Sequence, residues 1–247
     1  TYDQERALSI INDLLNINFD SNNIIQPPVL SIVIWHMITM GLKDKKKLNV
    51  LFDKILQYQN WYIENRDPYN KGLISIFHPK ESIRENSHDY DDALKNIKVD
   101  EMIDIKEYSD TTPEINIVDD DLNRYTQIIY KYEELNWNSK KIYDEGLFNV
   151  CDPSVQFIYI KSCKDLYKIA VFLERKDAFN ILEKWIDLYS FGSNYLWNIK
   201  CDAYTTLDLK TNTLYKNMSS GALLYAYADV GNKEQRDMML MHSKRIL

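Results

Sequence analysis

The sequence predicts an all-α chain folded as a closed toroid of helical hairpins, or a large part of one. Three observations carry that expectation. Six Gly and six Pro in 247 residues are roughly a third and a half of average usage. That is too few turn formers for a sandwich, a propeller or a glycine-looped nucleotide fold. Apolar residues recur at helical spacing through most of the chain, and the segment 29–40 is apolar on every side, as an enclosed inner helix would be.

Taken in order, residues 4–16 place Ala7, Ile10, Ile11, Leu14 and Leu15 at i, i+3, i+4, i+7 and i+8, the stripe of an amphipathic helix. Gln26-Pro27-Pro28 then breaks the backbone, because proline lacks an N–H and disfavours helix in the residue before it. The apolar helix 29–40 follows, ended by Gly41 as a C-terminal cap. His36 on that helix is expected as a hydrogen-bonded core histidine. The cluster Lys43 to Lys47 reads as a solvated turn. A long helix over 46–65 directs Leu48, Leu51, Ile55 and either Tyr58 or Trp61 inward.

Residues 67–91 lose the helical period and are dense in His, Asn, Ser, Pro and charge. Loops held by rigid helices are where chemistry commonly sits. Residues 98–117 read as an acidic surface excursion. Helices resume over 120–136, 139–145, 153–174, 176–190, 219–228 and 232–245. Pro153 behind Asp152 starts one of them, Ser219 and Ser220 can cap another, and Glu234 is a favourable first-turn charge in the last. No repeat with the period of the common solenoids is visible.

The net charge is −7, and residues 80–121 alone hold 14 acidic against 5 basic side chains. Without a basic stripe, nucleic acid is not an expected partner. No apolar run reaches the ~18 residues that cross a bilayer, so no membrane association is expected either. Cys151, Cys163 and Cys201 show no metal spacing and no complete pairing, which points to free thiols and a cytoplasmic setting. Cys151 and Cys163 read as buried structural thiols.

Nucleophile and phosphate motifs are missing: there is no G-x-S-x-G, no glycine-rich phosphate loop and no H-E-x-x-H. His242 is expected exposed on the terminal helix. His78 and His88 flank one loop together with Glu81, Glu85, Asp89, Asp91 and Asp92. As a metal site that set is weak, two His ten residues apart with loosely spaced carboxylates. A solvated acidic loop accounts for 81–92 on composition alone. Acid–base work on a polar neutral substrate is the other reading, since a carboxyl beside apolar or acidic neighbours holds its proton towards neutrality. Eighteen Tyr and five Trp offer rings suited to sugar faces, although core packing accounts for most of them.

The segment from Gly72 to Ser87, GLISIFHPKESIRENS, resembles a signature of glycoside hydrolase family 63. Its mannosylglycerate and glucosylglycerate hydrolase branch reads G-L-x-x-x-x-H-P-W-E-S-G-x-D-N-S. Gln26-Pro27-Pro28 is similar to that group's Q-P-P, residues 121–125 (DLNRY) to its D-x-x-R-Y, and residues 148–153 (FNVCDP) to its F-x-V-x-D-P. The resemblance implies an (α/α)6 toroid and inverting hydrolysis of an α-glycoside, with a small carbohydrate as substrate and with no metal or organic cofactor needed for that chemistry. Glu85 falls on the family's general-acid Asp, and Gln26 on a pocket glutamine. Lys80 replaces the loop Trp, Ile83 a Gly whose backbone approaches the sugar, and Asn86 keeps the motif's asparagine, so these three join the substrate-binding candidates.

These departures carry expectations of their own. Glu for Asp moves the acid by about an ångström, a shift that can cost ~10²-fold in rate. Ile83 would crowd the pocket, and Arg84 would pair with Glu85. The resemblance puts the general base on a Glu beyond Leu247, and residues 1–247 read as the middle portion of one larger toroid, leaving flanks such as 29–40 exposed. The alternative is a catalytically degenerate relative that binds a carbohydrate or a partner. Oligomeric state is left open.

Overall fold

The structure, a computed structural model, describes residues 3–16, 24–99 and 119–246. From residue 100 onward the acidic excursion expected at 98–117 lies outside the described residues. Helices dominate: α1 (Gln4–Leu15), α2 (Leu30–Thr39), α3 (Lys45–Arg66), α4 (Asp91–Lys95), α5 (Asp119–Glu134), α6 (Ser139–Glu145), α7 (Pro153–Leu173), α8 (Phe179–Gly192), α9 (Tyr225–Ala228) and α10 (Lys233–Ile246).

The enclosed helix is α7. It is buried along most of its length, and α2, α3, α8 and α9 pack on it. Its start is set by Asp152, whose Oδ1 accepts from the Ser154 and Val155 amides at 2.6 and 3.2 Å, followed by Pro153 in the first turn. Small polar residues let the helices approach closely. Ser31 on α2 donates to the Ser162 carbonyl at 2.8 Å, and Gln59 on α3 donates to the Ser162 hydroxyl, all buried.

Helix α2 is only partly enclosed, which corrects the inner-helix expectation and agrees with the exposed flank expected at 29–40. Only Ser31, Ile34 and Met37 are buried, while Val33 and Met40 are exposed. His36 is exposed too, not a core histidine. Apolarity without a period says that a helix tolerates burial but not which faces receive it. Its end is as expected: Gly41 adopts φ +102°, and the Gly41 and Leu42 amides donate to Ile38 and Met37 carbonyls, each at 3.0 Å. Helix α1 buries a narrower stripe than its pattern suggests, Leu8, Ile11 and Leu15, leaving Ile10 and Leu14 exposed.

The all-α expectation needs a second correction. Short strands β1 (Val150–Cys151), β2 (Trp197–Asn198), β3 (Ala203–Tyr204), β4 (Leu207–Asp208) and β5 (Thr213–Leu214) form two antiparallel sheets, ordered β1-β4-β5 and β2-β3. Two-residue strands are too short to leave an alternating pattern in a sequence. They matter because they steer the chain toward one cleft. Ile76 bridges Val150, with N–H···O distances of 2.8 and 3.3 Å, so the loop after α3 joins the edge of the three-stranded sheet. Asp208 closes the β4–β5 turn by accepting from the Lys210 and Thr211 amides, while Asn198 donates to the Tyr215 carbonyl at 3.0 Å. Among the described residues no helix is long and apolar enough to cross a membrane.

Candidate active site

The loop from Asp67 to Tyr90 is fixed from below by buried polar contacts. Asp67 accepts from the Lys71 and Gly72 amides, each at 2.8 Å, and from the Tyr189 phenol at 3.1 Å; burial raises its carboxyl above the usual range. Gly72 lies against the end of α8, where a Cβ on Gly192 would fall 1.9 Å from the Gly72 carbonyl oxygen. The central lock is Arg66 with Glu81. The guanidinium donates to Glu81 Oε1 at 2.5 Å and Oε2 at 3.3 Å, and Oε2 also accepts the Phe77 amide at 2.8 Å. Both side chains are almost wholly buried, with the guanidinium 4.9 and 4.6 Å from the Trp61 and Phe77 ring centres.

Above that lock a 3-10 turn, Pro79–Ser82, begins at His78, whose Nδ1 accepts from the Lys80 amide at 3.1 Å. Burial, reinforced by the Lys80 charge, pushes the His78 imidazole down to about 3. The unfolded chain therefore takes up a proton below about pH 6.5 that the folded one refuses, and stability falls as pH drops from there toward 3. The slope from this residue is about 1.4 kcal/mol per pH unit. In His78→Asn, urea midpoints followed from pH 7 to pH 4 are expected to fall less steeply than in the unsubstituted protein.

The turn ends at Ile83, which is 55% exposed and adopts φ +59°, ψ +19°. A β-branched residue in the left-handed region is strained, at roughly 1–2 kcal/mol. Glycine relieves that strain but returns part of the gain through its freer unfolded chain. Ile83→Gly is expected to raise unfolding stability by about 0.5–1 kcal/mol, read as a higher urea midpoint.

Arg84 does not pair with Glu85, which corrects the expectation from their adjacency. Its guanidinium turns inward to Asp89 Oδ2 at 2.5 Å, Ser87 Oγ at 2.8 Å, Ser154 Oγ at 3.1 Å and Ser219 Oγ at 2.8 Å, with Asp152 at 3.7 Å. Buried Asp89 and Asp152 draw the charge away from its neighbour. Glu85 itself is half-buried. Among the described residues its carboxylate has no hydrogen-bond or ion-pair partner, and its carbonyl accepts from the Tyr125 phenol at 2.7 Å. Burial, then the charges of Asp121, Glu85 and Asp91, push the Tyr125 phenol up, so it remains a donor at neutral pH.

Residues 83–89 form one wall of an open cleft of about 840 Å³, and residues 216–220 form the other. Ile83, Glu85 and Asn86 line it; Gln26 and Lys80 do not. Gln26 is exposed beside α3, its carbonyl accepting from the Tyr58 phenol at 3.2 Å and from the Tyr62 phenol. Lys80 is half-buried in the 3-10 turn. His88 is exposed and contacts Asp91 at 3.2 Å. His242 is only partly exposed, with Nε2 3.0 Å from the Cys201 carbonyl. Cys151 and Cys163 are buried, and burial raises both thiols, Cys163 to about 12. Among the described residues no three His, Cys, Asp or Glu side chains are grouped to hold a metal ion.

Residues 15–246 match the family described as the mannosylglycerate hydrolase MGH1-like glycoside hydrolase domain. The chain belongs to that family. A mannosylglycerate hydrolase of Thermus thermophilus is 27% identical over 230 residues, covering 91% of this chain and 55% of the relative. A glucosylglycerate hydrolase of Mycolicibacterium hassiacum is 22% identical over 169 residues, covering 64% and 38%. The crystal structure of the family 63 mannosylglycerate hydrolase from Thermus thermophilus in complex with Tris superposes with a TM-score of 0.80 at 25% identity, over 90% of this chain and 54% of that one. The same enzyme in complex with glucose gives 0.77, over 90% and 51%. The chain thus spans about half the length of the relatives it matches.

Two parts of this MGH1-like domain's cleft went unread in the sequence. Ser219 was legible only as a helix cap, which it is, accepting from the Gly221 amide at 3.3 Å; its contact with Arg84 reaches across 135 positions. The wall 216–220 has no chemical motif at all. Only the turn signals around it, Asp208 and the two serines, mark a place where the chain changes direction.

Proposed function

We propose that this MGH1-like domain forms part of an (α/α)6 toroid in an inverting α-glycoside hydrolase acting on a small glycoside, a glycosylglycerate or a short α-glucoside. In this reading residues 1–247 make up the middle portion of one larger catalytic domain. Support comes from the motifs at 72–87, 121–125 and 148–153 and from the likeness to mannosylglycerate and glucosylglycerate hydrolases. The observation that carries it is the position of Glu85: a half-buried carboxyl lining a cleft of sugar-accommodating size, with no cation taking it up among the described residues.

Glu85 delivers its proton to the glycosidic oxygen as the C–O bond breaks, so that the aglycone leaves as an alcohol. A carboxylate on the opposite face takes a proton from water as that water attacks the anomeric carbon, which inverts it. Such a pair stands about 6.5–9.5 Å apart to admit the water. Asp89, the other carboxylate lining the cleft, is committed to Arg84, so the base comes from outside the described cleft walls. Ile83 and Asn86, which line the cleft, are the proposed substrate contacts, Gln26 and Lys80 standing outside its walls, and the chemistry calls for no cofactor.

One observation favours a second reading, a relative that binds sugar without cleaving it: the exposed Ile83 side chain stands at the cleft where the family motif has glycine. The test is to incubate the full-length protein with mannosylglycerate, glucosylglycerate and short α-glucosides and follow the released sugar by proton NMR. The β anomer is expected first. The α anomer appearing first overturns inversion, and calorimetric binding without release from any glycoside selects the second reading.

A further inference from the structure

The most heavily bonded side chain at the cleft is one to which the family motif gives no role. Arg84 occupies an unspecified position of that motif, yet its guanidinium contacts three separate segments of the chain. Within its own turn it meets Asp89 and Ser87, at the start of α7 it meets Ser154, and across the cleft it meets Ser219. The far wall is shaped to receive it. A Cβ on Gly221 would lie 2.1 Å from Arg84 Nη1, so only glycine leaves room for the guanidinium there. Its charge is balanced by Asp89 and Asp152, which are 3% and 0% exposed, and Asp152 is itself fixed by the Tyr90 phenol at 2.7 Å.

We propose that Arg84 is the positioning residue of this site, bracing the turn that carries Glu85 against the opposite wall and so setting where the acid stands relative to bound sugar. The inference rests on the proposed function above. Glu85 follows Arg84 directly in the chain, so its peptide moves with the Arg84 backbone. The only described bond from the Glu85 backbone to another element is the one its carbonyl accepts from Tyr125. Arg84 performs two tasks: it holds the two walls at a fixed separation, and its engagement with Asp89 and Asp152 leaves the Glu85 carboxyl without an ion pair. A planar donor set suits this task, because a guanidinium offers five N–H groups in fixed directions and a lysine ammonium does not.

Three variants of the full-length protein test this. Ser219→Ala removes the cross-cleft acceptor, together with the cap on the Gly221 amide, and leaves every charge balanced. Arg84→Lys keeps the charge but loses the fork, and Arg84→Met removes both. In the first experiment, hydrogen exchange is measured on residues 84–89 and 219–222. Both segments are expected to lose protection together in Ser219→Ala and Arg84→Lys, while α3 and α8 keep theirs. In the second, kcat is expected to fall about 10-fold in Ser219→Ala and about 10²-fold in Arg84→Met with KM within about 2-fold. Arg84→Lys is expected to fall between them.

Unchanged exchange at 219–222 in Arg84→Lys, or at 84–89 in Ser219→Ala, overturns the brace. Unchanged kcat, or a rise in KM alone, overturns the positioning role. If the unsubstituted protein hydrolyses no glycoside, the proposed function fails, while exchange at 219–222 in Arg84→Lys and at 84–89 in Ser219→Ala still decides whether Arg84 joins the walls. Should Arg84→Met fail to fold, Ser219→Ala and Arg84→Lys carry both readouts.

Discussion

Glu85→Gln in the full-length protein is expected to lower kcat by about 10²–10⁴-fold, the range that positioned proton transfer contributes. The amide keeps the shape of the side chain and loses the transferable proton. Because the Glu85 carboxylate has no side-chain partner among the described residues, the substitution leaves no buried group unsatisfied, and unfolding stability is expected to stay within about 0.5 kcal/mol. The combination is diagnostic: a lost rate with kept stability and kept binding marks a group that acts in the transition state. A glycoside whose aglycone leaves readily as an anion should recover much of the rate, since it needs little protonation. Unchanged turnover on an ordinary alkyl glycoside removes Glu85 from the mechanism.

Arg66→Met has the largest expected effect on stability. It leaves the Glu81 carboxylate with the Phe77 amide as its remaining bond, in an environment where both partners are at most 4% exposed. Breaking a buried pair from one side costs about 3–5 kcal/mol, because the surviving charge loses its compensation without regaining water. The guanidinium also stacks between Trp61 and Phe77, contacts that a thioether only partly replaces. A urea titration should show the loss as a lower midpoint with an unchanged slope. Replacing both partners with apolar residues is expected to recover part of it, whereas a shift below about 1 kcal/mol in Arg66→Met would mean that solvent reaches Glu81.

The helices were legible because their signals are local. Asp152-Pro153, Gly41 and the period of residues 46–65 each mark a start, a stop or a face within a few positions, and the structure has them there. The loop acids were legible as a cluster, and the family resemblance singled out one of them. What stayed hidden is long-range. Charge adjacency argued for Arg84 with Glu85, but Asp152 lies 68 positions beyond Arg84 in the sequence and nothing local announces that it approaches. Which faces of helix α2 are covered was illegible for a related reason: a helix with no polar face carries no record of which side its neighbours occupy. The β strands were invisible because two residues cannot display a period.

The hairpin from Leu207 to Leu214 contributes no side chain to the cleft, yet it delivers residues 216–220 to Arg84 and anchors them to the same sheet that Ile76 joins. The cleft's geometry is thus inherited from a scaffold two strands away. A proline at a paired amide of that hairpin, or one residue inserted in its turn, would shift the remote wall and disable the site without altering a single group inside it. Natural variation in cleft width among kindred sequences is accordingly best sought in this hairpin, ahead of the acid loop itself.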